Sequence, residues 1–217
     1  EHLLTLRATL AEGPAPTEFY VDDLCLSAVP AGSDPIIQAD QGAALTLRNL
    51  ALAGGGNALL ALEGSRVSVL RCYIRDAASD GIYLSRSDGV SVAGSAIVNC
   101  GANGIFVSQS TLTVFQSSLL DNGGAGVRVN SGTASVVASL LYGNSGGLAN
   151  NVGTLSSQNN FVLKNGVGYQ NVSDVGDRLQ AADSAIEFAT PQLWRGKLAV
   201  PIMSGLSLSD AGVPGAL

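Results

Sequence analysis

The chain is poor in the residues that much enzyme chemistry and many partners require. It has 217 residues with a single histidine, His2, and only 13% of its residues are charged. One terminal histidine argues against histidine-based metal sites and against triads that use histidine as the base. Lys and Arg number 11 against 17 Asp and Glu, for a net charge of -6. The sequence therefore offers no basic field for nucleic acid.

Long apolar runs are also missing, although hydrophobic residues make up 46% of the chain. No stretch approaches the roughly 18 to 20 apolar residues of a membrane-spanning helix, so no span is predicted. The chain opens at Glu1 without the basic start and small-residue cleavage site of a secretory signal. We therefore expect a processed or excised chain.

An internal repeat of about 22 residues runs from residue 45 to residue 175. Each unit opens with two residues separated by one, apolar in every unit except that Ser157 stands in the last: Leu45/Leu47, Val67/Val69, Val90/Val92, Leu112/Val114, Ala134/Val136 and Leu155/Ser157. Seven residues after each start stands a further apolar residue: Leu52, Ile74, Ile97, Leu119, Leu141 or Val162. We call each of these apolar groups a station. A third station follows in each unit, and its apolar pattern becomes less regular near Leu148 and Tyr169. Its clear members are Leu60/Leu62, Ile82/Leu84, Ile105/Val107 and Val127/Val129.

The spacing within each station predicts strands, because apolar residues alternate with others and Gly, Ser and Asn collect between the stations. Three short strands per unit predict an all-β fold, a right-handed single-stranded parallel β-helix of about seven coils of roughly 22 residues. We assign residues 1–175 to this β-helix and residues 176–217 to an irregular C-terminal cap anchored by Trp194. The cap would cover the open sheet edge of the last coil.

Small and polar residues recur at the predicted corners. Cys72, Ser95, Ser117 and Ser139 share one offset and are expected to point inward. Asn122, Asn144 and Asn165 share another and are expected to form a structural hydrogen-bonded ladder. Gly81, Gly104 and Gly126 recur where a sharp corner excludes a Cβ.

Two units carry the closest resemblance to a known family: GVSVAGSAIVNCGANGIFVSQS and TLTVFQSSLLDNGGAGVRVNSG. They resemble the right-handed parallel β-helix repeats of the pectin-lyase-like superfamily, and the resemblance covers roughly residues 19–175. It implies the fold, and members include polysaccharide lyases, hydrolases and epimerases as well as tailspikes and adhesins. The downstream SGLSLSDAG resembles a closing segment of bacterial surface proteins. The Asp pairs, Gly-His and arginine-proline motifs of the enzymes are absent, so no catalytic residue is carried over.

One polar cluster is predicted along a turn ridge. Asp76, Asn99 and Asp121 share one offset on three successive coils, and Asp80 and Asn103 share another. The ridge could hold a sugar or a weakly bound calcium ion, or it could be a solvated structural turn. No metal site and no cofactor are otherwise predicted.

An apolar outward face is predicted from the intervening positions, which would otherwise meet water. Its members are Leu70, Tyr73, Phe115, Val137, Leu140 and Phe161. We expect this face to be covered by a protein partner, by a second copy of the chain or by an absent segment.

The three cysteines, Cys25, Cys72 and Cys100, cannot all pair. Cys25 and Cys72 would lie two coils apart, too far for a disulfide, and Cys72 and Cys100 fall in different columns. Buried free thiols are therefore predicted.

Two functional hypotheses remain. The first is a non-catalytic extracellular or cell-surface scaffold, such as an adhesin, spike or filament subunit, that acts through protein or glycan contacts. The second is a polysaccharide-active enzyme or carbohydrate-binding module. The absence of paired carboxylates on the strand faces favours the first.

Overall fold

A computed structural model describes residues 34–172 and residue 177 in full, and the backbone of six short strand segments outside that range. The strands, in chain order, are β1 (Leu6–Ala8), β2 (Glu18–Asp22), β3 (Cys25–Ser27), β4 (Ile37–Ala39), β5 (Ala44–Arg48), β6 (Ala51–Ala53), β7 (Leu59–Leu62), β8 (Arg66–Leu70), β9 (Tyr73–Arg75), β10 (Ile82–Ser85), β11 (Gly89–Ala93), β12 (Ala96–Val98) and β13 (Ile105–Ser108). They continue with β14 (Ser110–Phe115), β15 (Ser118–Leu120), β16 (Ala125–Val129), β17 (Gly132–Val137), β18 (Leu140–Tyr142), β19 (Gly146–Asn150), β20 (Thr154–Gln158), β21 (Phe161–Leu163), β22 (Val167–Gln170), β23 (Arg178–Gln180), β24 (Leu193–Trp194) and β25 (Lys197–Leu198).

Each coil contributes one strand to each of three parallel sheets. Sheet A has the order β1-β4-β7-β10-β13-β16-β19-β22, sheet B has β2-β5-β8-β11-β14-β17-β20, and sheet C has β3-β6-β9-β12-β15-β18-β21-β23. β24 and β25 form a separate antiparallel pair. The predicted parallel β-helix is confirmed; residues 34–172, which the structure describes in full, form about six turns, whereas about seven coils were predicted.

The part of the chain that the structure describes contains no helix. It accordingly offers no helix that is long and apolar enough to cross a membrane.

The inward side chains form continuous aliphatic columns through the interior. Val90 pairs in register with Val67 on one side and Leu112 on the other, and Ile97 pairs with Ile74 and Leu119. Val90, Val92, Ile97, Ile105 and Val107 are all buried, as predicted. Burial of these stacked side chains is the main source of stability, because each coil alone cannot remove its apolar face from water.

The prediction that Leu60 and Leu62 point inward is wrong by one residue. Leu59 and Ala61 point inward and are fully buried, whereas Leu60 and Leu62 are half-buried on the outer side. Leu59 pairs with Ile82, and Ala53 pairs with Arg75. The turn before β7 is therefore one residue shorter than the turn before β10, which turns the opposite set of β7 side chains inward, whereas Val67 and Val69 of β8 point inward as predicted.

A column of polar side chains satisfies the corner between sheets B and C. The backbone N–H of Cys72 donates to Ser95 Oγ at 3.0 Å, and that of Ser95 donates to Ser117 Oγ at 3.2 Å. Ser117 N donates to Ser139 Oγ at 3.1 Å. The column therefore supplies acceptors to corner amides that the sheets leave unpaired.

At the corner between sheets C and A, asparagine side chains form hydrogen bonds between successive coils. Asn144 accepts at its Oδ1 from the backbone N–H of Asn122 at 3.0 Å and from Asn122 Nδ2 at 2.9 Å. Its own Nδ2 donates to the Leu119 carbonyl at 2.9 Å and to Asn165 Oδ1 at 2.9 Å. The predicted structural ladder is confirmed. A Cβ at Gly104 would lie 2.7 Å from the Gly126 carbonyl oxygen, which explains the glycine column.

Cys100 is a buried free thiol, as predicted, and Cys72 is likewise buried. The side chain of Cys25 lies outside the described residues. The predicted cap, residues 176–217 with Trp194, also lies outside them, apart from Asp177 and the backbone of β23, β24 and β25.

Candidate functional site

The predicted turn ridge divides into an exposed column and a buried column. Asp76, Asn99 and Asp121 form the exposed column, with φ angles of 56°, 54° and 52°. Asn and Asp tolerate this left-handed conformation better than most residues. Asn99 Nδ2 donates to Asp76 Oδ1 at 2.7 Å, and Arg75 forms an ion pair with Asp76. These residues therefore have a conformational role at the turn.

Asp121 ends this column against a glycine. A Cβ at Gly143 on the next coil would lie 2.1 Å from Asp121 Oδ1, so a side chain there would require the carboxylate to move. Partial burial raises the pKa of Asp121 above its ordinary value.

Asp80 and Asn103 form the buried column. Asp80 Oδ1 accepts from the Asn103 backbone N–H at 2.9 Å and from Asn103 Nδ2 at 2.8 Å. Asn103 Oδ1 in turn accepts from the Ala125 N–H at 3.0 Å. Asp80 Oδ1 and Asn103 Oδ1 thus each accept from the next coil, and both residues are buried, which gives them a structural role.

The ridge therefore does not form a single binding site. Within the described residues, no group of three or more His, Cys, Asp or Glu side chains could hold a metal ion. The geometry gives each ridge residue a structural partner or a turn conformation, and ligand binding at the ridge stays a prediction without geometric support.

The predicted apolar face also divides into two parts. Leu70, Phe115 and Val137 lie on the outer side of sheet B, where Phe115 is 41% exposed. Tyr73, Leu140 and Phe161 lie on the outer side of sheet C but are 9%, 5% and 1% exposed. The prediction that these three residues meet solvent or a partner molecule is wrong, because the folded chain already buries them. Burial also raises the pKa of the Tyr73 hydroxyl.

The outer side of sheet B carries hydroxyl groups on six successive coils; we call this surface the hydroxyl face. Its central column consists of Thr46, Ser68, Ser91, Thr113, Ser135 and Ser156. A second column on the last three coils consists of Thr111, Thr133 and Thr154, all exposed. Ser91 Oγ donates to Ser68 Oγ at 3.2 Å. The face thus repeats donors and acceptors at the coil spacing of about 4.8 Å.

A shallow groove interrupts the hydroxyl face at Gly89; we call it the Gly89 groove. Its volume is about 420 Å³, and it extends over four coils. Gly89 lies in register with Arg66, and a Cβ added at Gly89 would meet no atom within 4 Å. Arg66 borders the groove and forms an exposed ion pair with Asp88 at 2.9 Å. The missing side chain therefore leaves space where a ligand can approach the strand backbone.

Sequence reasoning missed this groove. The outward column of hydroxyl residues was visible in the repeat, but Gly89 resembles a turn residue because glycines are frequent between the stations. A signal was nonetheless present: Gly89 precedes Val90 at the position that Arg66 occupies before Val67.

A family model, "Right handed beta helix region", matches residues 32–166. The chain belongs to the right-handed β-helix family. No curated protein matches the sequence significantly.

Two solved structures are similar to this β-helix. One is the periplasmic alginate epimerase AlgG, with a TM-score of 0.59 and 15% identity over 74% of this chain and 42% of that one. A point mutant of the same enzyme gives a TM-score of 0.62 and 15% identity over 75% of this chain and 44% of that one. The chain spans less than half the length of these structures, and the likeness establishes the fold alone.

Proposed function

We propose that the chain is a non-catalytic β-helical scaffold that binds an extended polysaccharide along the hydroxyl face, outside the cytoplasm. The observation that carries this proposal is the Gly89 groove within a regular array of outward hydroxyls. Cell-surface attachment and roles such as adhesin, spike or filament subunit are further parts of the proposal.

The chemistry of the face suits sugars. Each hydroxyl can donate one hydrogen bond and accept others, which matches the hydroxyls of a glycan. A polymer presents its sugars at regular intervals, as the coils present Ser68, Ser91 and Thr113. The neighbouring side chains of Leu70 and Ala93 are partly buried and supply apolar surface for the faces of sugar rings.

The charges near the groove argue against hydrolysis. Among the described residues that line the groove, Arg66 is the only ionisable side chain. Its ion-pair partner Asp88 is a single exposed carboxylate, whereas glycoside hydrolysis requires two carboxylates that flank the bond. The described lining of the groove therefore lacks the paired carboxylates of glycoside hydrolysis.

The similar solved structures add support of a general kind. They are named as a periplasmic enzyme of alginate, a polysaccharide. A location outside the cytoplasm also places the chain where extended glycans occur. The low charged fraction, 13%, is compatible with a chain that works against a surface or within an assembly.

The test is affinity electrophoresis of the chain in gels that contain alginate, polygalacturonate or xylan. We expect retardation by at least one polymer. The variant Gly89→Leu fills the groove without backbone strain and should weaken the affinity at least about tenfold, or about 1.4 kcal/mol. Ser108→Leu, on the outer side of sheet A, is the matched control and should leave the affinity unchanged.

Two results would overturn the proposal. One is no retardation by any of the three polymers, and the other is equal retardation of the parent and Gly89→Leu. Nuclear magnetic resonance of each polymer after incubation tests the non-catalytic part, because a change in sugar composition or chain length would reveal an enzyme.

Self-association is a second candidate role, favoured by the exposure of Phe115 between the partly buried Leu70 and Val137. These side chains lie on one outer edge of sheet B, on the coils of β8, β14 and β17. A second copy of the chain could cover them while the Gly89 groove stays open.

A further inference from the structure

The chain contains three Asn–Gly sequences, and all of them lie on fully described coils: Asn103–Gly104, Asn122–Gly123 and Asn165–Gly166. Asparagine is chemically labile, and a following glycine has no side chain to hinder the reaction. The glycine nitrogen bonds to Cγ of the asparagine, and the side-chain amide nitrogen leaves as ammonia with the glycine proton. The succinimide ring then takes up water to give aspartate or isoaspartate. The surroundings of each pair therefore decide whether it reacts.

The attacking nitrogen is hydrogen-bonded in all three pairs. The backbone N–H groups of Gly104, Gly123 and Gly166 donate to carbonyl oxygens of neighbouring coils at 2.9, 2.8 and 2.9 Å. This protection is the same at each pair, so any difference in reactivity must come from the asparagine side chains.

The side chains of Asn103 and Asn122 are held from both sides. Asn103 Nδ2 donates to Asp80 Oδ1 on the preceding coil at 2.8 Å, and Asn103 Oδ1 accepts from the Ala125 N–H on the following coil at 3.0 Å. Asn122 Oδ1 accepts from a backbone N–H of the preceding coil at 3.0 Å, and Asn122 Nδ2 donates to Asn144 Oδ1 on the following coil at 2.9 Å. The two residues are 8% and 2% exposed. Neither amide can rotate unless two coils release it.

The side chain of Asn165 is held from one side. Its Nδ2 donates to the Leu141 carbonyl at 2.9 Å, and its Oδ1 accepts from the backbone N–H of Asn144 at 3.0 Å and from Asn144 Nδ2 at 2.9 Å. Both partners belong to the preceding coil, and among the described residues none that follows Asn165 in the chain bonds to its side chain. Asn165 is half-buried, and the next two residues, Gly166 and Val167, are exposed, so water has access to the reacting groups.

We propose that Asn165 is a site of spontaneous deamidation in the folded chain, and that the two flanking coils protect Asn103 and Asn122. The reaction requires the asparagine side chain to turn toward the next backbone nitrogen. At Asn165 this movement breaks hydrogen bonds to one coil, whereas at the other two sites it requires a local opening between coils. An aspartate carboxylate at position 165 has no N–H for the Leu141 carbonyl, so deamidation weakens the last described rung of the asparagine ladder.

The test is incubation of the folded full chain at mildly alkaline pH, followed by digestion with pepsin and peptide mass spectrometry. We expect aspartate and isoaspartate to accumulate at Asn165 at least about tenfold faster than at Asn103 or Asn122. The chain unfolded in urea is the control, and there the three pairs should react at similar rates because only the local sequence then governs them. A folded chain in which Asn165 reacts no faster than Asn103 and Asn122 would overturn the proposal.

The variant Asn144→Ala tests whether the following coil is the cause of the protection. It removes the partner of Asn122 on that coil and leaves Asp80 and Ala125 beside Asn103. We expect the rate at Asn122 to rise at least about fivefold while the rate at Asn103 stays at the parent's value. An unchanged rate at Asn122 in the folded variant would contradict the protection. If Asn144→Ala unfolds the chain, the comparison of the three sites in the folded parent still decides.

Discussion

The outer sides of sheets B and C differ in exposure although both carry large apolar residues. Phe115 on sheet B is 41% exposed, whereas Phe161 on sheet C is 1% exposed. Both are aromatic residues on outward positions of parallel strands. Sheet B combines its apolar residues with a column of hydroxyls, while sheet C forms an apolar cluster with Leu120 and Leu163. An outward apolar residue is therefore a possible contact surface only where the chain itself does not cover it.

This difference bears directly on function. Sheet B remains available to a ligand, since its hydroxyl column and the Gly89 groove face solvent. Sheet C contributes to stability on both of its sides, like a sheet buried between two layers. Substitutions on the outer side of sheet C should therefore lower the free energy of unfolding more than substitutions on the outer side of sheet B.

The largest effect is expected from a charge on the inward side. Ile97→Asp places an unpaired carboxylate in a column whose neighbours are Ile74 and Leu119, at a cost of about 5 kcal/mol or more. Loss of folded soluble protein is expected. Ser91→Asp on the hydroxyl face is the control and should unfold at the parent's denaturant midpoint. A stable Ile97→Asp chain would contradict the assignment of inward columns.

A smaller loss is expected at the asparagine ladder beside sheet C. Asn144→Ala removes the donor to the Leu119 carbonyl and the acceptor for Asn122, so about 2–3 kcal/mol of unfolding free energy should be lost. Urea unfolding measures this loss. The exposed residue Asn130 provides the control, and Asn130→Ala should change stability by less than about 0.5 kcal/mol. Equal midpoints for the two variants would argue against a structural ladder.

The buried thiol at the same corner should make stability depend on alkaline pH. Burial raises the pKa of Cys100 from its ordinary value of 9.0 to about 11. The thiol ionises more readily in the unfolded chain, so its contribution is present below pH 9 and is lost as the pH rises toward 11. The free energy of unfolding should fall further in the parent than in Cys100→Ala over that interval, by at most about 2 kcal/mol. Parallel pH dependences would indicate that the thiol is not buried.

The smallest effect on stability is expected on sheet B. Phe115→Lys combined with Val137→Glu should change the unfolding free energy by less than about 0.5 kcal/mol, because both side chains lie on the outer side. If a second copy covers this surface, the parent sediments as a dimer or larger assembly and the double variant as a monomer. Identical monomers would contradict self-association and leave the polysaccharide proposal intact.

Most of the inward columns could be predicted from the sequence because hydrophobic period and coil length are both local properties. Ile82 and Ile105 follow from the repeat alone. The shift at Leu59 could not be predicted, since one residue fewer in a turn leaves no mark on the apolar spacing around it. Turn residues were also ambiguous: Asp76 and Asp80 are chemically identical, yet one is exposed and the other is committed to Asn103.

The outer surface was the least predictable part. Leu140 is 5% exposed although it lies on an outward position of sheet C, and no local pattern in the repeat encodes that burial. The Gly89 groove depends on a missing side chain, whose effect becomes visible only when the neighbouring coils are placed in register. A groove that forms because a side chain is missing is therefore difficult to predict from the residue pattern of one strand.

The hydrogen bonds of the polar column between sheets B and C all point in one direction along the β-helix. The corner amide of each coil donates to a side chain of the following coil, from Cys72 to Ser95 and onward to Ser139 and Asn160. The last of these amides, that of Asn160, donates to Asp177 Oδ1 at 2.8 Å. A coil removed from the C-terminal side would leave the column ending on a backbone donor, and a coil removed from the N-terminal side would leave it beginning on a side-chain acceptor, so each end requires a different kind of capping residue. Elongation or shortening by whole coils should therefore be tolerated in the interior, provided that the final coil ends on an acceptor such as Asp177.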